Sequence, residues 1–461
     1  MGLEDTIAAI ATPSGEGGIA IVRVSGENAI ELVDKIFLPV AGGRSLQERA
    51  GYSMGLGWVL DREGQKVDEV LVSVMRGPRS YTTEDVVEIN CHGGLLPARR
   101  CLEEVLHRGV RLAEPGEFTR RAFINGRLDL SQAEAVIDVI RSRTDKGMRI
   151  ALRQLEGGPG RKLREIEERL IGINARIEAS IDFPEEVGDV DEEAAARELL
   201  EVGRELEQIL DVSRRGRIYR QGIKVVIAGK PNVGKSSLLN ALLQENKAIV
   251  TDIPGTTRDV VEDYLNIRGI PVRVMDTAGW RETKDVVEKI GVERTREVIA
   301  EADVVIVVLD VGAGISQEDL DIRDLLAGKK TIVLVNKEDL PEKRITTQEL
   351  EEMFGDWPVI RGSVKEDMGL EELEQAIEKL VLRGEVQADD MEMMVNLRHE
   401  EALHQAKVHM EAAKMALEAD LSLDCLAVDV WGALEALGEA TGRNLREDVI
   451  DRIFEEFCIG K

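Results

Sequence analysis

The stretch KVVIAGKPNVGKSSLLNAL (224–242) decides how the rest of the chain is read. An apolar, β-branched run leads into Gly229, residues Gly229 to Ser236 match GxxxxGK[ST], and a helix-forming SLLNAL follows. Strand, glycine-rich turn and helix in that order make a phosphate cradle. The glycines let backbone N–H groups converge on an anion, the helix N-terminus adds positive potential, and a lysine reaches the β- and γ-phosphate oxygens. Asn232, Val233, Gly234, Lys235, Ser236 and Ser237 are therefore candidate nucleotide-binding residues, with Lys235 acting on the reacting phosphates and Ser236 ligating Mg²⁺.

Outward from this loop, residues 220–383 alternate apolar runs (KVVIA, VVIVVL, TIVLV) with amphipathic segments, the pattern of a parallel sheet flanked by helices. NKED (336–339) directly follows TIVLV. Asp339 can accept from two adjacent guanine donors, whereas adenine would leave the carboxylate unpaired, so GTP is the expected nucleotide. Asn336 and Lys337 would contact and flank the base, and Ser363, Val364 and Lys365 in GSVK would close over it. Between these motifs lie TDIPGTTRD (251–259) and DTAGW (276–280). Their order resembles that of the translation-factor class of GTPases. On that likeness Thr257 would sense the γ-phosphate and Mg²⁺, Asp276 would hold Mg²⁺ through water, and Gly279 would donate its N–H. Thr251, Asp252, Ile253, Pro254, Gly255, Thr256, Thr277 and Ala278 complete the candidate nucleotide set. Trp280 stands where Ras-like enzymes carry a water-orienting Gln, so that group must come from elsewhere. The Asn232 side-chain carbonyl could ligate a monovalent cation beside the phosphates; an ordinary loop asparagine accounts for it equally well.

The flanks differ in kind. Residues 1–120 mix β-type runs (GGIAIVRVSG, VDEVLVSVM, EDVVEINCHGG) with helical stretches, an α+β pattern. Residues 121–219 turn helical: Ser131 and Glu134 fit a capping box, and Leu163, Ile166, Leu170, Ile173, Ile177 and Ile181 recur at helical spacing until Asp182-Phe183-Pro184, as do Leu199, Val202, Leu206 and Ile209. Helical periodicity returns in 384–461, with Leu403, Met410, Ala413 and Leu417 on one face, then Leu445, Val449, Ile453 and Phe457 on another. The economical reading is a multidomain α/β chain with one discontinuous helical domain interrupted by the α/β unit; two independent bundles are the alternative.

A net charge of −28 argues against broad, non-specific nucleic-acid binding, which requires clustered Lys and Arg. No run approaches the ~20 apolar residues of a membrane span, and MGLEDTIAAIATP carries acids where a signal peptide carries bases, so a cytoplasmic protein is expected. Cys91, Cys101, Cys425 and Cys458 form no CxxC pair and no metal-type spacing with histidine, which favours neither a disulfide framework nor a zinc site. Cys458, in the terminal FCIGK, reads either as a small apolar residue or as a reactive thiol.

ATPSGEGGIAIVRVSG, SYTTEDVVEINCHGG, PGEFTRRAFINGRLDLSQAEA, the interrupting GTPase motifs with GTTRD, and terminal CIGK together resemble the bacterial and organellar tRNA wobble-uridine modification GTPases, the MnmE or TrmE family, over essentially the whole chain. The resemblance implies a folate-binding-like N-terminal domain, a discontinuous helical domain and an inserted Ras-like P-loop GTPase domain. It implies a homodimer formed through the N-terminal domain and an FAD-containing partner subunit, together a heterotetramer. Their product is an aminomethyl or carboxymethylaminomethyl group at carbon 5 of wobble uridine in certain tRNAs, the one-carbon unit coming from 5,10-methylene- or 5-formyl-tetrahydrofolate. It also implies K⁺-activated, Mg²⁺-dependent GTP hydrolysis, with Asn232, Thr251, Ile253 and Thr256 around K⁺ and Glu288 positioning the attacking water. Glu288 beside Lys289 is otherwise a solvated pair.

The likeness further assigns Arg23, Glu88, Arg127 and Lys461 to folate and makes Cys458 a candidate acid, base or transient nucleophile. Arg23 shares a strand face with Ile19 and Ile21, where a guanidinium is costly unless paired or exposed; an anionic ligand or an edge strand reaching solvent would each explain it. Glu88 could accept donors from a pterin edge. The competing function is a ribosome-assembly or membrane-associated GTPase switch with no RNA-modifying chemistry, since the G domain alone does not separate the two.

Overall fold

The computed structural model describes the chain apart from residues 1–4, 41–42, 184, 186–191, 247–263, 276–297, 356, 383–393, 396, 420 and 444–446. Its first sheet is built from β1 (Ile7–Ile10), β2 (Ile19–Ser25), β3 (Phe37–Pro39), β4 (Ser53–Leu60), β5 (Lys66–Met75), β6 (Val86–His92) and β7 (Arg111–Leu112). The order is β3-β4-β5-β6-β2-β1-β7, antiparallel except between β1 and β7. Period-two alternation sends Val22, Val24, Val70, Val72, Val74 and Ile89 into a core shared with Ala98, Cys101 and Val105 of the helix Leu95–Leu106. Arg23 falls on the opposite face, in register with Glu88 of β6. β2 lies between β6 and β1, so the edge-strand explanation of Arg23 does not hold.

The helix Glu117–Ile124 is bound to this sheet through Arg121, which is 1% exposed and pairs with Asp5 (2.5 Å), Glu84 (3.1 Å) and Glu117 (3.0 Å). The next helix, Leu130–Arg141, starts two residues earlier than the Ser131 capping pattern suggested. Asp129 and Gln132 form the box, while Ser131 is buried inside the first turn. Competing capping residues two positions apart make such a box ambiguous in sequence.

The helices Gly158–Asp182 and Glu192–Gln221 pack with Leu397–Glu418 and Leu423–Thr441 around a single core. Leu163, Ile166, Leu170, Ile173 and Ile177 meet Leu206, Leu403, Met410, Ala413 and Val430 there, so the bundle is discontinuous in sequence and continuous in space. In the last helix, Glu447–Glu455, the inward face is Ile450, Ile453, Phe454 and then Phe457; Val449 is only half-buried, and Leu445 lies outside the described residues.

The interrupting unit carries β8 (Ile223–Ala228), β9 (Tyr264–Ile267), β10 (Ile270–Met275), β11 (Val304–Asp310), β12 (Thr331–Asn336) and β13 (Val359–Arg361). They run in the order β13-β12-β11-β8-β10-β9, parallel except for β9. Leu238, Leu242, Leu373 and Ile377 from the helices Lys235–Asn246 and Leu370–Leu382 cover one face, and Leu350 and Phe354 from Thr347–Phe354 cover the other. Burial on both faces accounts for the unbroken apolar run of β11. No helix among the described residues is long and apolar enough to cross a membrane.

Candidate functional site

β8 sits in the sheet interior between β10 and β11, and its C-terminal end delivers the loop 229–234 to the crevice where nucleotides bind in such sheets. Gly229 (φ +143°) and Gly234 (φ +108°) occupy conformations closed to L side chains, and a Cβ on Gly229 would run into the Val308 carbonyl. Asn232 (φ +64°) supplies the left-handed residue that Asn tolerates better than most. Lys235 opens the following helix. Its half-buried Nζ donates to the carbonyls of Gly229 (2.7 Å) and Lys230 (2.6 Å), and burial lowers its pKa. An ammonium satisfied only by carbonyls among its described contacts, at a helix N-terminus, suits an incoming phosphate. Ser236 and Ser237 are exposed beside it.

The base-recognition residues are tied to the same loop. Asn336 is 3% exposed; its Nδ2 donates to Val233 O (2.9 Å) and its Oδ1 accepts from Val364 N–H (3.0 Å). Both polar atoms act within the protein, so Asn336 braces the pocket, with a second Nδ2 hydrogen beyond the one given to Val233 O. Lys337 donates to Asn232 O (2.8 Å) and pairs with Asp310 (2.6 Å). Asp339 accepts from Ser363 Oγ at 2.6 Å and faces Lys365 at 3.8 Å; the Ser363 hydrogen bond leads the effects that hold its carboxyl below the usual range. Thr251, Asp252, Ile253, Pro254, Gly255, Thr256, Thr257, Asp276, Thr277, Ala278, Gly279 and Glu288 lie outside the described residues.

On the N-terminal sheet, Arg23 donates through Nε to Glu88 Oε1 (2.9 Å) and through Nη1 to the carbonyl of Gly460 (3.3 Å). The terminal segment is held by an isolated β-bridge and two backbone hydrogen bonds: Pro115 bridges Ile459, Gly116 N–H reaches Cys458 O (3.4 Å), and Phe118 N–H reaches Lys461 O (3.2 Å). Gly460 (φ +96°) permits this, because a Cβ there would strike the Ile10 carbonyl. Burial, then the nearby Arg23 charge, pushes the Lys461 pKa down. Cys458 is exposed, which removes its reading as a packed core thiol.

Tyr81 was missed by sequence reasoning. Its ring lies 5.5 Å from the Arg23 guanidinium and 4.7 Å from that of Arg127, whose Nη1 also donates to Tyr81 O (3.2 Å). Tyr81 and Arg127 line an open cavity of about 620 Å³ with Tyr52, Ser80 and Asn125. Its only sequence signal was position, seven residues before Glu88 in SYTTEDVVEI.

Comparison with known proteins agrees along the whole chain. Residues 6–127 match the family described as GTP-binding protein TrmE N-terminus, and residues 130–458 match the MnmE helical domain. The tRNA modification GTPase MnmE of Syntrophomonas wolfei subsp. wolfei is 60% identical over 457 residues, 99% of either chain. Proteins of the same description from Thermoanaerobacter pseudethanolicus and Alkaliphilus oremlandii are each 50% identical, over 99% and 100% of both chains respectively. With a phosphate loop on the inserted sheet and the terminal CIGK bound to the N-terminal one, the chain belongs to the MnmE (TrmE) family of tRNA modification GTPases.

Proposed function

We propose that this chain hydrolyses GTP and, with an FAD-dependent partner, adds an aminomethyl or carboxymethylaminomethyl group at carbon 5 of wobble uridine in certain tRNAs. The observation that carries the reading is the bound tail. Gly460 accepts from Arg23, and Lys461 lies close enough to feel its charge, so residues from both ends of the chain build one cationic site around Glu88. A GTPase switch without modification chemistry has no need of that assembly.

In this reading Arg23, Arg127 and Lys461 give the site the positive charge an anionic folate requires, and Glu88 accepts donors of the pterin edge. When bound, 5,10-methylene- or 5-formyl-tetrahydrofolate supplies the one-carbon unit. Exposed Cys458 is the acid, base or nucleophile beside it. On the inserted domain, Lys235 neutralises charge on the β- and γ-phosphates, and Asp339 selects guanine. Ser236 and Thr257 hold Mg²⁺; Asn232, Thr251, Ile253 and Thr256 hold K⁺; Glu288 orients the water. The functional unit is a cytoplasmic homodimer joined to its partner as a heterotetramer.

Nucleoside analysis of tRNA from a strain lacking the gene, with and without restoration, tests the proposal. Loss and recovery of the wobble-uridine modification are expected; an unchanged nucleoside profile would return the chain to the switch class.

A further inference from the structure

Cys91 lies near the end of β6, and Cys101 lies midway along the helix Leu95–Leu106 packed on the same sheet. Their ten-residue separation conceals the contact: the two sulfurs lie within 4.8 Å of each other, the residues are 2% and 0% exposed, and the Cys91 thiol donates to the Ala20 carbonyl at 3.2 Å. Asp68 of β5 completes the cluster, with a carboxylate oxygen and both sulfurs lying within 4.8 Å of one another. The carboxylate is itself fixed. Oδ2 accepts the His92 backbone N–H at 2.8 Å, and Oδ1 pairs with His92 Nδ1 at 2.6 Å.

We propose that Asp68, Cys91 and Cys101 form a binding site for a thiophilic divalent cation of the zinc class. Thiolates select such ions over Mg²⁺, and Asp and Glu carboxylates are among the oxygen ligands zinc accepts. Zn–S and Zn–O bonds of about 2.3 and 2.1 Å place tetrahedral ligand atoms roughly 3.5–3.8 Å apart, so the cluster can close on an ion with small side-chain movement. An apolar core requires neither paired sulfurs nor a carboxylate at this depth. His92 plays the supporting part that outer groups play at metal sites, holding both oxygens of a ligand carboxylate. Binding releases the two thiol protons to solvent, leaving a 2+ ion facing three negative ligands. The Asp68 side chain is 10% exposed under the 69%-exposed His92, which gives the ion a route in and leaves the fourth position to water. The spacing argument against zinc fails here because the ligands converge from two strands and a helix.

The test uses the full-length, reduced, chelator-treated chain titrated with Cd²⁺ and then Zn²⁺. Expected are a thiolate-to-cadmium charge-transfer band saturating at one equivalent, its displacement by Zn²⁺, and its persistence in a Cys425→Ser/Cys458→Ser double variant. Cys91→Ser and Cys101→Ser should abolish the band. Asp68→Asn, which leaves both buried sulfurs in place, should weaken binding at least about tenfold. The proposal is overturned if the wild-type chain shows no band, if the band survives in Cys101→Ser, or if Asp68→Asn binds as tightly as wild type. A Cys91–Cys101 disulfide in chain purified without reductant and carrying no metal would also overturn it.

Discussion

The side chain of Asn336 joins the phosphate loop to the base-closing loop, donating to Val233 O at 2.9 Å and accepting from Val364 N–H at 3.0 Å. Asn336→Ala therefore orphans a buried donor and a buried acceptor, each at a cost of about 1–3 kcal/mol. GTP affinity should fall at least about tenfold by fluorescent-nucleotide titration. The nucleotide-free chain should also melt earlier, which a residue that only touched guanine would not cause.

Arg121 is enclosed by Asp5, Glu84 and Glu117. Arg121→Met takes a buried cation from all three carboxylates, leaving Asp5 and Glu117 to Arg111, and should cost about 3–5 kcal/mol in chemical denaturation. Cells carrying the variant should hold less of the protein.

Acid sensitivity follows from the same cluster. The Arg111 hydrogen bond holds Asp5 below its ordinary 3.8. Burial pushes Glu117 up, but Arg111, the Glu114 N–H and Arg121 outweigh it and keep the carboxyl below its ordinary 4.5. Depressed carboxylates contribute stability that is complete above the unfolded values and drains as pH falls through the lower folded ones. An acid titration followed by circular dichroism should show the wild-type N-terminal unit losing stability below about pH 4.5, with a shallower loss in Arg121→Met.

Gly460→Ala adds a Cβ against Ile10 O at a position with φ +96°. The tail should leave its groove, and hydrogen exchange at Phe118 N–H, bonded to Lys461 O, should accelerate. Wobble-uridine modification should be lost, as in Cys458→Ser. Normal tRNA nucleosides from Cys458→Ser would remove the thiol from the mechanism.

Potassium should stimulate GTP hydrolysis by about 100-fold where sodium does not, the scale of a single charge-stabilising group. Asn232→Ala should erase the difference. Equal turnover in both salts would refute the cation's role.

How much was legible in sequence depended on how local the physics is. The phosphate loop and NKED could be read because each is a run of neighbours whose backbone and side chains act together. The helical faces could be read because 3.6-residue periodicity is also local, although Phe457 joins its cluster from beyond the helix end. The Arg121 cluster could not, since its partners sit at positions 5, 84 and 117, and charges at such separations carry no pattern. Arg23 raised the right question, a buried-face cation in want of a partner, but sheet order was needed to identify Glu88 and exclude an edge strand. The Asp129 box was misread by a small shift in register.

The divided bundle constrains the order in which the molecule is made. Leu163, Ile166, Leu170, Ile173 and Ile177 leave the ribosome long before Leu403, Met410 and Val430, which complete their core. The entire nucleotide-binding sheet emerges in that interval and can close on its own cores. The first helices must wait with an apolar stripe uncovered, the period of greatest risk for aggregation or capture by a chaperone. The segment around Gly460 is made later than either of these, and it returns to the first sheet, where the Gly460 carbonyl accepts from Arg23.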